Sequence, residues 1–125
     1  IESSVFFLGF VSNEDLPKFL NSSDIYISTS LSDAGIAAST AEAMACGVPV
    51  IVTDTGENRE WIKNGETGYL IPPSDPLKLA QVIQNMILKP KEIKKVGLAG
   101  RKIISEHNDY KTEMAKVEKL YKLML

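Results

Sequence analysis

Apolar residues along this chain fall into two patterns, short continuous runs and longer stretches with helical spacing. The short runs are rich in β-branched and aromatic residues and end at polar or turn residues, which is typical of strands. They occupy residues 5–11, 24–30, 48–53 and 68–72. Helical spacing and start or stop signals predict helices over residues 13–21, between Gly35 and Gly47, within 54–62, from Pro76 to Pro90, over about 91–107 and over 110–125.

Strands that alternate with helices predict an α/β fold with a parallel sheet and flanking helices. Ligands of such sheets bind beyond the carboxyl ends of the strands. The loops after Val11, Ser30 and Thr53 should therefore line one rim of the sheet. The rim would include residues 33–38.

The last predicted helix has apolar residues on one stripe and lysines and glutamates elsewhere. The stripe consists of Tyr110, Met114, Val117, Tyr121 and Met124. Such a pattern predicts an amphipathic helix docked on a surface. The stripe is most simply part of the core, and an interface with another domain is the alternative.

The composition of the chain limits the classes of function that it can have. The chain has 125 residues, of which 44% are apolar, and suits one globular domain. Its formal charge of −2 gives no basic field for a nucleic acid. Cys46 is the single cysteine, which excludes an internal disulfide and favours a reducing, cytoplasmic compartment. No apolar run approaches the roughly 18 residues that a membrane span needs.

The stretch from Ser32 to Val52 holds the candidate chemistry. Gly35 precedes a predicted helix start, where a glycine lets a ligand approach the backbone and free N–H groups can bind a phosphate. Glu42 lies roughly two turns further on, and its carboxylate can accept hydrogen bonds from a vicinal diol. A phosphate site beside a diol acceptor is typical of a nucleotide-binding site.

Each candidate also has a purely structural interpretation. Gly35 could belong to an ordinary turn, and Glu42 could be a solvated helix residue, although it stands among alanines on a helix expected to be buried. Asp33 could bind sugar hydroxyls or cap the helix. Gly9 could let a base or ribose approach, or it could serve a tight strand exit.

The same stretch resembles the donor-binding segment of retaining glycosyltransferases with two Rossmann-like domains, the GT-B architecture, in glycosyl transferases group 1 (family 4). That family has an acid, a glycine, a variable run and then Glu-Ala-Met-Ala-x-Gly-x-Pro-Val. Here Gly35, Glu42-Ala-Met-Ala-Cys-Gly47 and Pro49-Val50 match it. The family has seven residues between its two acids, whereas Asp33 and Glu42 have eight, so strict spacing places Ala34 at the first acid's position.

The resemblance implies that the chain is the donor-binding domain, with residues near Gly35 at the diphosphate and sugar and Glu42 at the ribose. The predicted donor-binding residues are Asp33, Ala34, Gly35, Ile36, Ala37, Ala38, Glu42 and Gly9. The resemblance further implies a UDP-, GDP- or ADP-sugar as donor, retention at the anomeric carbon, and no metal or other cofactor.

Further segments extend the resemblance over residues 5 to about 90. Residues 5–11 resemble a family strand, and residues 64–72 resemble its Asp-Gly-x-x-Gly-x-Leu-x-x-Pro turn. The family's donor domain normally starts with about fifty more residues, including an Arg and Lys pair at the diphosphate, so we expect this Rossmann-like unit to be incomplete at its N-terminus.

The carbohydrate or lipid-linked acceptor would bind a further N-terminal domain, and peripheral membrane association of the full-length chain is compatible with this assignment. The present chain alone should be inactive.

Two other functions fit parts of the pattern. A non-catalytic α/β module could use the Tyr110 helix for assembly, and it would bind no nucleotide. A sugar-nucleotide epimerase of the same two-domain architecture is the other alternative, although the Glu-Ala-Met-Ala-x-Gly-x-Pro run is not typical of it.

Overall fold

The computed structural model describes residues 1–32 and 35–124 and contains a three-stranded parallel sheet in the order β1-β2-β3. The strands are β1 (Tyr26–Ser28), β2 (Val50–Thr53) and β3 (Tyr69–Ile71). In the register, Ile27 lies opposite Ile51, and Val52 lies opposite Leu70. The predicted parallel α/β fold is confirmed, with strands shorter than their apolar runs.

The described part of the chain also contains six α-helices and a 3₁₀ turn at Glu2–Ser4. The helices are α1 (Leu16–Asn21), α2 (Ala38–Ala45), α3 (Asn58–Trp61), α4 (Pro76–Leu88), α5 (Pro90–His107) and α6 (Tyr110–Met124). The predicted start of α4 is confirmed, because Asp75 accepts a hydrogen bond from the Lys78 amide at 2.8 Å and Pro76 is the first helical residue.

Strand β2 lies at the centre of the core, and all four of its residues are buried. Val50 and Val52 pack in one cluster with Met44 of α2, whereas Ile51 packs in a second cluster with Met86 of α4. Successive side chains of a strand point to opposite faces, so the continuous apolar run follows from burial on both sides of the sheet.

Helix α5 packs closely, at two of its glycines, against the turn after α2 and the turn before β3. A methyl group on Gly97 would lie 2.2 Å from the carbonyl oxygen of Gly47, and one on Gly100 would lie 2.6 Å from that of Thr67. Gly47 has a φ of +76° and follows the end of α2, as its place before Val48 and Pro49 predicts. The absence of side chains at Gly97 and Gly100 therefore lets α5 lie directly against the turns beside the sheet.

The prediction of a strand over residues 5–11 is wrong. These residues pair with no strand of the described chain, and residues 5–10 are exposed, with Phe7 at 96% and Phe10 at 94%. An apolar run becomes a strand only where a neighbour supplies hydrogen-bond partners for its backbone. No such neighbour flanks this segment within the described residues.

Helix α6 forms as predicted, but the interpretation of its stripe as part of the core is wrong. No residue of Tyr110–Met124 is buried, and the apolar stripe is open, with Tyr110 76% and Tyr121 66% exposed. Periodicity identifies the face of a helix that can be buried, but it does not supply the surface that would bury it. The stripe is therefore not part of the core of the described chain.

Candidate functional site

The carboxyl ends of the three strands meet at one edge of the sheet, as parallel pairing requires. A cavity of about 220 Å³ lies at this edge. Thr29, which directly follows β1, lines it together with Leu31, Thr53 and Ile71. The cavity thus brings Leu31, from the loop after Ser30, together with Thr53, the last residue of β2, at the edge where the rim is predicted.

The turn that opens α2 lies between β1 and the helix. Gly35 has a φ of +78°, a left-handed conformation that favours glycine. Ala37 is the N-cap residue, and no side chain in the described part of the chain caps this end of α2. The first hydrogen bond within the helix runs from the Ala41 amide to the Ala37 carbonyl at 3.0 Å. The amides before Ala41 are therefore donors without an intrahelical acceptor.

Ser39, in the first turn of α2, has a structural role. Its hydroxyl oxygen accepts a hydrogen bond of 2.8 Å from the hydroxyl of Tyr26 in β1. This contact ties the start of α2 to the sheet. It thereby holds the donor amides of this turn in place.

Glu42 lies on the exposed side of α2. It lines a cavity of about 190 Å³ together with Asn13, Leu16 and Leu20, which lie in α1 and the segment before it. The expectation that this helix is buried is right for the side that carries Ala43 and Met44, both 0% exposed, and wrong for Glu42. The reason is that α2 packs one side on β2 and α5 and leaves the other open beside α1.

Three further predicted residues remain, and only Gly9 among them can be placed. Asp33 and Ala34 lie outside the described residues. Gly9 has a φ of +64° within the exposed segment over residues 5–11, and a methyl group there would meet no atom within 4 Å. Because that segment is not a strand, the tight strand exit proposed for Gly9 does not occur.

The structure adds Glu57, which sequence reasoning missed. A methyl group built on Gly35 would lie 3.6 Å from Oε2 of Glu57, so this carboxylate borders the turn before α2. Glu57 precedes α3 in the loop after β2. The available signal was its position, since that loop was predicted to line the same rim.

The guanidinium of Arg59, at the start of α3, already has a partner. Arg59 donates hydrogen bonds from Nε and Nη2 to the two carboxylate oxygens of Asp54. The hydrogen bonds from Arg59 lower the pKa of Asp54 below its usual value, and those to Asp54 raise the pKa of Arg59. Both groups are thus charged at neutral pH, and the charge of Arg59 is offset by its partner.

These features define a class of protein: an α/β domain with a parallel sheet and a glycine turn that presents backbone amides where a helix opens. The chain belongs to the glycosyl transferases group 1, whose family model matches residues 1–103. The predicted family is confirmed. The chain is 33% identical over 119 residues to the putative glycosyltransferase EpsD of Bacillus subtilis (strain 168), covering 94% of this chain and 30% of that protein.

Solved structures of glycosyltransferases share the fold. Sucrose-phosphate synthase from Thermosynechococcus elongatus superposes with a TM-score of 0.92 at 27% identity, covering 98% of this chain and 30% of that one. Anabaena Alr3699/HepE in complex with UDP gives a TM-score of 0.90 at 26% identity, covering 97% of this chain and 33% of that one. The Rossmann-like fold of GT-B glycosyltransferases is therefore confirmed, and the chain spans about a third of these proteins' lengths.

One further finding concerns membranes. Among the described residues, no helix combines the length and apolar character that crossing a bilayer would require.

Proposed function

We propose that this chain is the donor-binding domain of a retaining glycosyltransferase that transfers a hexosyl group from a nucleoside-diphosphate sugar to a carbohydrate or lipid-linked acceptor. The observation that carries the proposal is the turn from Gly35 to the start of α2, whose amides no described side chain caps, in a chain of this family. The UDP and UDP-glucose complexes of the related HepE support a nucleotide-sugar as the ligand.

In the proposed site, the amides of residues 35–38 bind the diphosphate. Their positive ends, together with the helix dipole, attract the phosphate oxygens. As the glycosidic bond breaks, negative charge accumulates on the leaving diphosphate. Donors that are already oriented stabilise that charge at little reorganisation cost. The chemistry proposed for this turn needs no metal ion from the chain.

Glu42 is proposed to bind the ribose. Its carboxylate stands beside the cavity shared with Asn13 and Leu16, which provides space for part of a ligand. A carboxylate accepts hydrogen bonds from two neighbouring hydroxyl groups, and such charge-assisted bonds are stronger than neutral ones. Asp33, Ala34 and Gly9 remain predictions for the same ligand.

A calorimetric titration of the full-length protein with UDP, GDP and ADP tests the proposal and identifies the base. We expect one nucleotide to bind, and Glu42→Ala to weaken it by about 1 kcal/mol or more, the scale of a lost hydrogen bond to a charged group. Glu66→Ala is the matched control, because Glu66 is an exposed glutamate in the turn before β3. Failure of all three nucleotides to bind would contradict the proposal.

Two further parts of the proposal are tested separately: the stereochemistry of transfer and the binding of the acceptor outside this chain. The anomeric configuration of the product, followed by NMR, should match that of the donor. The 125-residue chain alone should give no transfer, since the acceptor is proposed to bind elsewhere in the full-length protein. Turnover by this chain alone would contradict that assignment.

One observation favours the alternative of an assembly module. The apolar stripe of α6 is open, and an exposed apolar stripe is typical of an interaction surface. A contact through α6 is compatible with donor binding, so the two roles do not exclude each other. The family assignment favours transfer over the epimerase alternative.

A further inference from the structure

We propose that Glu57 recognises hydroxyl groups of the sugar carried by the donor, and that it selects neutral sugars over uronic acids. This inference rests on the proposed function. Its starting point is the contact between two loops at the carboxyl edge of the sheet. The Glu57 carboxylate lies 3.6 Å from the position of a methyl group on Gly35, beside the amides assigned to the diphosphate.

The side chain of Glu57 is available to a ligand. It is exposed, and within residues 1–32 and 35–124 it forms no ion pair or hydrogen bond. Arg59, two positions further on, is held by Asp54. The oxygens of Glu57 are therefore open acceptors at the edge of the proposed site.

The charges around Glu57 decide which ligand groups it can accept. Residues 54–60 contain three carboxylates and one guanidinium, and that guanidinium is paired. Arg101 of α5 lies at the opposite end of α2, where its Cδ is 3.8 Å from the position of a methyl group on Gly47. No described cation therefore neutralises Glu57 through an ion pair. The amides of the turn offset the charge of the diphosphate in the proposed site, but an anionic group of the sugar, which those amides do not bind, would be repelled by Glu57.

The order of the chemical groups along the donor then indicates which of them Glu57 contacts. In a nucleoside-diphosphate sugar, the sugar is bonded to the terminal phosphate, so a side chain that borders the diphosphate site lies close to the sugar. An ionised carboxylate can accept a hydrogen bond but cannot donate one to phosphate. Sugar hydroxyls are donors that suit it. The carboxylate of a uronic acid would instead meet a like charge.

The test compares three ligands on the full-length protein by calorimetry, using the base that the wild-type protein binds. For uracil these are UDP, UDP-glucose and UDP-glucuronic acid. Glu57→Gln keeps the size of the side chain and removes its charge. We expect it to leave UDP affinity within twofold and weaken UDP-glucose about tenfold. It should also reduce the preference for the neutral sugar by tenfold or more.

Glu60→Gln is the matched control, because Glu60 is an exposed glutamate in the same segment. Its affinities for all three ligands should remain within twofold of wild type. An unchanged preference in Glu57→Gln would overturn the inference, as would equal weakening of UDP and UDP-glucose. If the proposed function itself is wrong, the result is different, because the wild-type protein then binds none of the nucleotides. In that case the inference about Glu57 is wrong as well.

Discussion

Substitution of Gly97 by alanine tests the packing of α5 on the turn after α2. Alanine inside a helix is normally more favourable than glycine by about 1 kcal/mol. Helix propensity alone therefore predicts that Gly97→Ala stabilises the protein. The structure predicts the opposite, because the new methyl group would lie 2.2 Å from the Gly47 carbonyl oxygen and 3.1 Å from Cδ of Pro49.

The Gly47 carbonyl has little freedom to move away. The amide of Gly47 donates to the Met44 carbonyl at 2.8 Å, and the amide of Val48 donates to the Ala43 carbonyl at 3.0 Å. Relief of the overlap thus requires α5 to retreat by roughly 1 Å to reach ordinary contact. Overpacking of this kind costs about 1–3 kcal/mol. At the upper end of that range, and after the gain in propensity, we expect a net loss of about 2 kcal/mol.

Urea unfolding of the full-length protein measures this loss, and hydrogen exchange at the amides of α2 and α5 localises it. Ser105→Ala is the control, because Ser105 lies in the same helix with an exposed side chain and should change stability by no more than about 0.5 kcal/mol. A Gly97→Ala protein as stable as wild type, or more stable, would refute the close approach of α5 to the turn at Gly47.

Three further predictions concern other parts of the structure. Met44→Ala should reduce the free energy of unfolding by about 2–5 kcal/mol, measured by urea titration, because Met44 is 0% exposed in the core. Asp75→Ala should cost about 1 kcal/mol in the same assay, since it removes the acceptor for the Lys78 amide, and a serine at this position should restore most of the loss. The pKa of Asp54 is lower in the folded state than its usual value of 3.8, so its pairing with Arg59 stabilises the protein above that pH. That contribution should disappear as the pH falls below 3.8, and thermal unfolding of Asp54→Asn should show a correspondingly weaker dependence on pH in this range.

Local chemistry accounts for the elements that the sequence predicts well. A continuous apolar run identifies β2, because a strand covered on both faces has no polar side to reveal. Asp75 and Pro76 identify the start of α4, because capping and a fixed φ act within one turn of helix. The left-handed conformation of Gly47 after α2 is likewise a property that glycine itself favours.

Tertiary contacts account for the rest. The apolar residues from Val5 to Val11 have the composition of a strand, yet strand formation depends on a neighbour that the local sequence does not specify. The stripe of α6 is exposed for the same reason, because the local sequence does not specify a surface that would cover it. Glu57 was missed because its proximity to Gly35 arises between loops that follow two different strands. Sequence spacing places both residues at one rim but does not indicate that they are neighbours.

The all-parallel sheet has a consequence for how the domain folds. Neither β1 with β2 nor β2 with β3 can pair through a hairpin, because parallel neighbours need a crossover connection. Each pairing must wait for closure of a loop that contains a helix, and such non-local contacts slow folding. Because β2 takes part in both pairings, both loops must close before β2 is fully paired. Until both pairings form, its three apolar residues and Thr53 are exposed to water and to other chains, so Val50–Thr53 is a segment at risk of aggregation during folding.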